Sequence, residues 1–156
     1  MLEVRIVCVG KLKENYLRDA CAEYEKRLRP LCKLALFELS ESKLPENPSP
    51  AEIEGALAAE GEAIKQKCKG TVYPLCIEGK MGDSLSFAGK LEKAMQYPGS
   101  VTFVIGSSFG LAESVKKLGE GISFSPMTFP HQLARVMLLE QLYRGFQILQ
   151  GTRYHK

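Results

Sequence analysis

Val101-Thr102-Phe103-Val104-Ile105-Gly106-Ser107-Ser108-Phe109-Gly110 is an apolar, β-branched run that ends on two closely spaced glycines. A continuous run of this kind suits a strand covered on both faces, as in a parallel sheet. Gly106 and Gly110 then let the backbone turn sharply and approach a ligand, and the carboxyl end of a parallel strand is where α/β sheets bind ligands. The G-x-x-x-G spacing fits neither the dinucleotide fingerprint nor the P-loop, whose Gly-Lys-Ser/Thr is missing. The stretch reads as a tight βα turn, with a cofactor loop as the sharper alternative.

The same strand-then-helix rhythm runs outward on both sides. Upstream, Val4 to Val9 ends at Gly10, and Leu12, Tyr16, Leu17, Ala20, Cys21, Tyr24 and Leu28 recur at helical spacing until Pro30. Leu34 to Leu39 reads as a second strand, and Pro45, Pro48 and Pro50 mark residues 40 to 50 as a surface loop. Ser49, Pro50 and Glu52 make a capping box for a helix carrying Ile53, Leu57, Ile64 and Cys68, expected to be acidic outside. Thr71 to Ile77 precedes a helix from about Ser84 to Met95. Downstream of the quoted stretch come a short helix around Glu113 to Leu118, a strand from Ile122 to Phe129 and a last helix from Pro130 to Leu149. Five strands alternating with helices imply an α/β fold, a mainly parallel sheet with helices on both faces. A length of 156 residues suits a single domain over 1–156.

The last helix is apolar around its circumference, from Leu133, Val136 and Met137 to Leu142, Phe146 and Leu149. It must be buried on more than one side. A two-fold interface uses one apolar face twice, so a homodimer is expected.

Two further segments can carry chemistry. In Ile122 to Gln132, Pro126 interrupts any strand and Pro130 opens the helix, which puts Thr128 or Phe129 at the cap and His131 in the first turn. There the helix dipole disfavours imidazolium and keeps a neutral ring available as acceptor or base, although His131 could equally just bond the loop. The terminal Gly151-Thr152-Arg153-Tyr154-His155-Lys156 sets an aromatic ring and an imidazole beside cations. Such tails are usually frayed, yet stacking faces next to phosphate-seeking charges suit a flipped-out nucleotide.

Charge is uneven along a chain of net charge +3. Residues 38 to 62 carry seven acids against Lys43 alone, whereas residues 130 to 156 carry Arg135, Arg144, Arg153 and Lys156 against Glu140 alone. Residues 1 to 33 carry eight bases against five acids, and two basic ends brought together could face phosphate. The five cysteines, Cys8, Cys21, Cys32, Cys68 and Cys76, are scattered without a C-x-x-C pair, so neither a disulfide framework nor a zinc site is indicated. The chain shows no secretory pattern and no unbroken apolar stretch of about 18 residues, which makes a cytoplasmic protein without membrane association the expectation.

Phe103-Val104-Ile105-Gly106, Met127-Thr128-Phe129-Pro130-His131-Gln132, Glu140-Gln141-Leu142-Tyr143-Arg144 and Tyr154-His155-Lys156 occur in this order. In these motifs, and across essentially the whole chain, the sequence resembles the RlmH family. These are SPOUT-type methyltransferases that modify N3 of a pseudouridine in large-subunit (23S) ribosomal RNA. The resemblance implies a C-terminal deep trefoil knot, a homodimer built largely from knot helices, and action on ribosomal RNA, expected on the assembled ribosome. It implies an S-adenosylmethionine site at Leu75, Gly106, Phe124, Ser125, Pro126, Met127, Thr128 and Phe129. No metal is called for, since the sulfonium is already an activated electrophile.

An imide nitrogen attacks only after its proton leaves, so a base or an anion-stabilising charge is required. His155, Tyr154, His131 and Glu140 are the catalytic candidates, the first two as residues contacting the nucleobase. Arg135, Arg144, Arg153 and Lys156 are the candidates for RNA binding. Lys156 stands where the family pattern has arginine, which keeps the charge and loses the bidentate fork. Two other readings compete: a non-catalytic RNA- or ribosome-binding module on the same scaffold, and a knotted methyltransferase acting on transfer RNA.

Overall fold

In the computed structural model, which describes residues 1–156, the apolar runs become β1 (Glu3–Val9), β2 (Lys33–Leu39), β3 (Thr71–Met81), β4 (Ser100–Ile105) and β5 (Ile122–Ser123). They alternate with α1 (Asn15–Leu28), α2 (Pro50–Lys67), α3 (Ser84–Gln96), α4 (Glu113–Lys116) and α5 (His131–Leu149). The sheet runs β2-β1-β4-β3-β5 with every neighbouring pair parallel. The expected α/β architecture is what forms.

Side-chain alternation sorts the strands' residues between two cores. Val4, Ile6 and Cys8 of β1 and Val101, Phe103 and Ile105 of β4 point to one face, where Cys21 and Leu28 of α1, Leu91 of α3 and Leu138, Leu139 and Leu142 of α5 cover them. Val7, Val9 and Val104 point to the other, under Ile64 of α2 and Val115 of α4. β4 is buried at every position, as its unbroken apolar run requires.

The final helix packs between α1 and α3 and over β4, so its all-round apolar character is largely used within one chain. Gly145 permits the close approach of α3, because a Cβ there would stand 2.7 Å from Leu91 Cδ1. Leu133 remains 39% exposed, and Val136 and Met137 half-buried.

Three local expectations are corrected. β5 stops at Ser123 instead of running to Phe129: the Ser123 hydroxyl donates to the Ser125 carbonyl, and Met127 N–H donates to Ser125 Oγ, bending the chain before the donor-less Pro126. β3 extends to Met81, with a register shift against β5 between Leu75 and Lys80. The residue capping α5 is Pro130, not Thr128 or Phe129, and no side chain caps the helix. The outer face of α2 is acidic as expected, with Glu52, Glu54 and Glu62 exposed, while Glu60 turns inward, is buried and accepts the Ser42 N–H at 2.9 Å. The Ser49–Glu52 capping box forms as expected.

Candidate active site

The carboxyl ends of β3, β4 and β5 surround a cavity of about 740 Å³. Leu75 enters it from β3, Gly106 from the turn after β4, and Phe124, Ser125, Met127, Thr128 and Phe129 from the β5–α5 loop. Pro126 belongs to that loop but points to solvent outside the lining. His131, in the first turn of α5, lines the cavity as well. The turn after β4 closes through Gly110 N–H to Ser107 O at 2.9 Å, with Gly110 at φ +88°. A Cβ on Gly106 would collide with the Gly110 carbonyl, so this glycine is demanded by the turn that shapes the cavity wall.

The lining combines an apolar slot, from Leu75, Ile105, Phe124 and Phe129, with hydroxyls of Ser107, Ser125 and Thr128 and loop backbone. That composition and volume fit a nucleoside with an appended chain: flat base in the slot, sugar hydroxyls on the loops. No group of three or more His, Cys, Asp or Glu side chains is gathered to hold a metal.

A second groove, of about 970 Å³, shares Ile122, Ser123 and Phe124 with the first. Glu140, Gln141 and His155 line it on the α5 side, and Ser84 and Phe87 on the α3 side. Here the tail folds back on α5. Tyr154 Oη donates to Glu140 Oε2 at 2.8 Å, and its ring meets Tyr143 edge-on at 4.8 Å between centroids. Arg144 grips Glu140 with Nη2 to Oε2 at 2.7 Å and Nε to Oε1 at 3.2 Å, while its guanidinium lies over the Tyr154 ring. Gln141 Nε2 adds a fourth donor to the carboxylate at 2.9 Å, and Ser84 Oγ fixes the Gln141 amide at 2.7 Å.

This network divides the catalytic candidates. Burial pushes the Tyr154 phenol up to about 12, and the Glu140 carboxylate beside it pushes the same way, so Tyr154 is a proton donor at neutral pH and not a base. Burial of Glu140 raises its carboxyl, but the bonds from Arg144 and Tyr154 outweigh this and hold it below the ordinary range. A carboxylate so supplied with donors organises its neighbours. Among the catalytic candidates, this geometry suits Tyr154 as a donor and Glu140 as the anchor of the tail. His155 Nδ1 lies 3.2 Å from Arg144 Nη1. A guanidinium can only donate, so in this contact Nδ1 is the acceptor and Nε2 is left free to face a ligand.

The four basic candidates part in the same way. Arg135 is only 2% exposed and is bonded to Glu38 at 2.5 Å and to the Gly10 carbonyl at 3.1 Å, so it cannot reach a phosphate. It ties the start of α5 to the ends of β2 and β1, and its RNA-binding assignment is corrected. Arg144 remains at the groove in the network above. Arg153 and Lys156 are exposed on the tail.

Sequence reasoning missed Tyr24 and Arg27 of α1. The Arg27 guanidinium stacks over both Tyr24 and Tyr143, at 5.3 and 5.6 Å, next to the tail. No sequence signal links them to residue 154, since only the packing of α1 on α5 brings them there. It also missed Glu78 and Lys116, which line the first cavity as an ion pair.

Fold and cavities together define an α/β protein with a cavity built from β3 and from the loops that follow β4 and β5. A family model described as "Predicted SPOUT methyltransferase" matches residues 2–155, and the chain belongs to the SPOUT methyltransferase family. It is 50% identical over 159 residues to the ribosomal RNA large subunit methyltransferase H of Ligilactobacillus salivarius (strain UCC118), covering 99% of this chain and 100% of the relative. The protein of that name from Lactobacillus helveticus (strain DPC 4571) is 46% identical with the same coverage. Among solved structures, the tRNA (m1G37) methyltransferase of Aquifex aeolicus matches with a TM-score of 0.53 at 14% identity, over 99% of this chain and 73% of that one. TrmJ from Z. mobilis ZM4 matches with a TM-score of 0.52 at 16% identity, over 93% and 70%. At those identities the two structures speak for the fold alone. The family resemblance read from the four motifs is borne out.

Proposed function

We propose that this chain methylates N3 of a pseudouridine in 23S ribosomal RNA with S-adenosylmethionine, acting as a cytoplasmic homodimer on the assembled ribosome. The observation that carries this reading is the pair of cavities meeting at Ile122–Phe124: one has the lining of a nucleoside site, the other presents the tail. The full-length relatives named for large-subunit ribosomal RNA methylation support the substrate class. S-adenosylmethionine supplies an electrophilic methyl group on its sulfonium.

The residues that would hold it are Leu75, Gly106, Phe124, Ser125, Met127, Thr128 and Phe129, with Pro126 stiffening the loop between them. At the groove, His155 Nε2–H and the Arg144 cation would stabilise the imide anion formed when N3 loses its proton. Tyr154 would position His155 through Glu140 and Arg144, and Arg153 and Lys156 would meet phosphate. His131, on the cavity side, is the other imidazole within reach of the shared wall.

Leu133, Met81 and Leu85 are 39%, 58% and 57% exposed, and the last two line the groove with half-buried Val136 and Met137. An apolar surface of this kind supports burial against a second copy. β5 at the sheet edge with α5 returning between α1 and α3 is consistent with the deep trefoil knot expected of the family. No helix is long and apolar enough to cross a membrane.

The test offers methyl-labelled S-adenosylmethionine with free 23S RNA, isolated large subunits and whole ribosomes, followed by mapping of the methyl group. Label at N3 of a large-subunit pseudouridine, strongest on whole ribosomes, is expected. Label confined to transfer RNA in a total-RNA control would overturn the substrate, and absence of calorimetric cofactor binding would favour a non-catalytic module.

A further inference from the structure

Within the cofactor cavity, two lining side chains carry full and opposite charges. Glu78 on the outer part of β3 and Lys116 in α4 are paired, Nζ to Oε1 at 2.5 Å. Lys116 is the more enclosed, with 25% of its side chain exposed against 60% for Glu78, and a second carboxylate, Glu113, lies 3.5 Å from its Nζ. The Lys116 hydrogen bond holds the Glu78 carboxyl below the ordinary range, and the Glu78 bond holds the Lys116 ammonium above its own, so both are ionised at neutral pH. The rest of the lining is apolar, hydroxylic or backbone, apart from the Cys76 thiol and the His131 ring.

An S-adenosylmethionine molecule ends in an α-ammonium and an α-carboxylate on one carbon. Adenine and ribose have partners in the apolar slot and the loops, whereas this zwitterion needs one anion and one cation side by side. Resting on the assignment of S-adenosylmethionine to this cavity, we infer that Glu78 and Lys116 bind its amino-acid end. Glu78 accepts from the α-ammonium and Lys116 donates to the α-carboxylate. The pair thereby selects S-adenosylmethionine over nucleosides that lack that end.

A purely structural pair would only tie α4 to β3, and a truncated ligand separates the two roles. Calorimetric titration of the full chain with S-adenosylmethionine and with 5′-methylthioadenosine, which lacks the amino-acid end, is done for wild type, Glu78→Gln, Lys116→Met and the charge-swapped pair Glu78→Lys/Lys116→Glu. Each single substitution is expected to weaken S-adenosylmethionine by about tenfold and 5′-methylthioadenosine by less than about twofold. The swap keeps an ion pair between α4 and β3 but reverses its polarity, and is expected to weaken S-adenosylmethionine at least as much. Equal losses for both ligands, or a swapped protein that binds S-adenosylmethionine like wild type, would make the pair structural and overturn the inference. Wild-type protein that binds neither ligand would instead overturn the cofactor assignment on which it stands.

Discussion

Arg135 and Arg144 sit on the same helix within three turns of each other, and each holds a glutamate, yet they belong to different kinds of structure. Arg135 is enclosed, with its Glu38 partner on another element and its second bond to the Gly10 backbone. Arg144 keeps 26% of its side chain exposed, pairs with Glu140 one turn earlier, and lends its remaining donor to the tail imidazole. Burial, not residue type, assigns the roles: a cation shut away from water stabilises the scaffold, whereas one at a groove rim can answer to a ligand.

The sharpest way to break this contrast is to remove the enclosed cation. Arg135→Met strips Glu38 and the Gly10 carbonyl of their donor and leaves the start of α5 unanchored. Because Glu38 is partly open to solvent, the loss falls at the lower end for breaking a buried pair, about 3 kcal/mol. In a chain of this size that corresponds to a fall in Tm of roughly 6–12 °C by calorimetry. A Tm unchanged within about 1 °C would mean that the buried pair contributes nothing net, as a well-packed apolar replacement sometimes achieves.

How far each region was legible in the sequence follows the same line. Val4–Val9 and Val101–Ile105 announced themselves because a strand buried on both faces leaves an unbroken apolar run, and Ser49-Pro50 with Glu52 announced a helix start through local bonds. Interactions that close over long sequence distances leave no such trace. The partner of Arg135 is 97 residues away, and Arg27 meets Tyr143 only because α1 and α5 pack together. Ile122–Phe129 misled for a local reason: its apolar residues suit a strand, but the Ser125 turn bends the chain into the cavity wall. In the candidate site the loops were readable from glycine and proline, while the Glu78–Lys116 pair, made by a single turn of helix against a strand end, was not.

The open end of the helix is probed by deleting residues 154 to 156. Tyr154 and His155 hang from Glu140 and Arg144 rather than from the core, so the fold should lose less than about 1 kcal/mol. Methyl transfer should fall at least about a hundredfold, the usual loss on removing groups that act on a transferring proton. Calorimetric affinity for S-adenosylmethionine should stay within about threefold of wild type, because no tail residue lines that cavity. Full activity of the truncated chain would move the chemistry to His131. A collapse in stability would make the two ends of α5 alike after all.

The smallest effect, and the finest test of the contrast, is the acid response of the tail. With its carboxyl held below the ordinary range, Glu140 favours the folded tail most strongly at pH values above the ordinary carboxylate value of 4.5, and this contribution is lost as pH falls through the lowered value. Protonation removes the charge that Arg144 and Tyr154 address, so the Tyr154 and His155 resonances should become mobile in NMR spectra below that range while core methyl groups stay put. Glu140→Gln keeps an acceptor oxygen but no charge. At neutral pH it should loosen the tail already, lower turnover by roughly twofold to fivefold as expected for a partly exposed pair, and abolish the acid transition. A tail that releases at the same pH in Glu140→Gln as in wild type would place the titrating group elsewhere, and the division between a rigid and a responsive end of α5 would then rest on exposure alone.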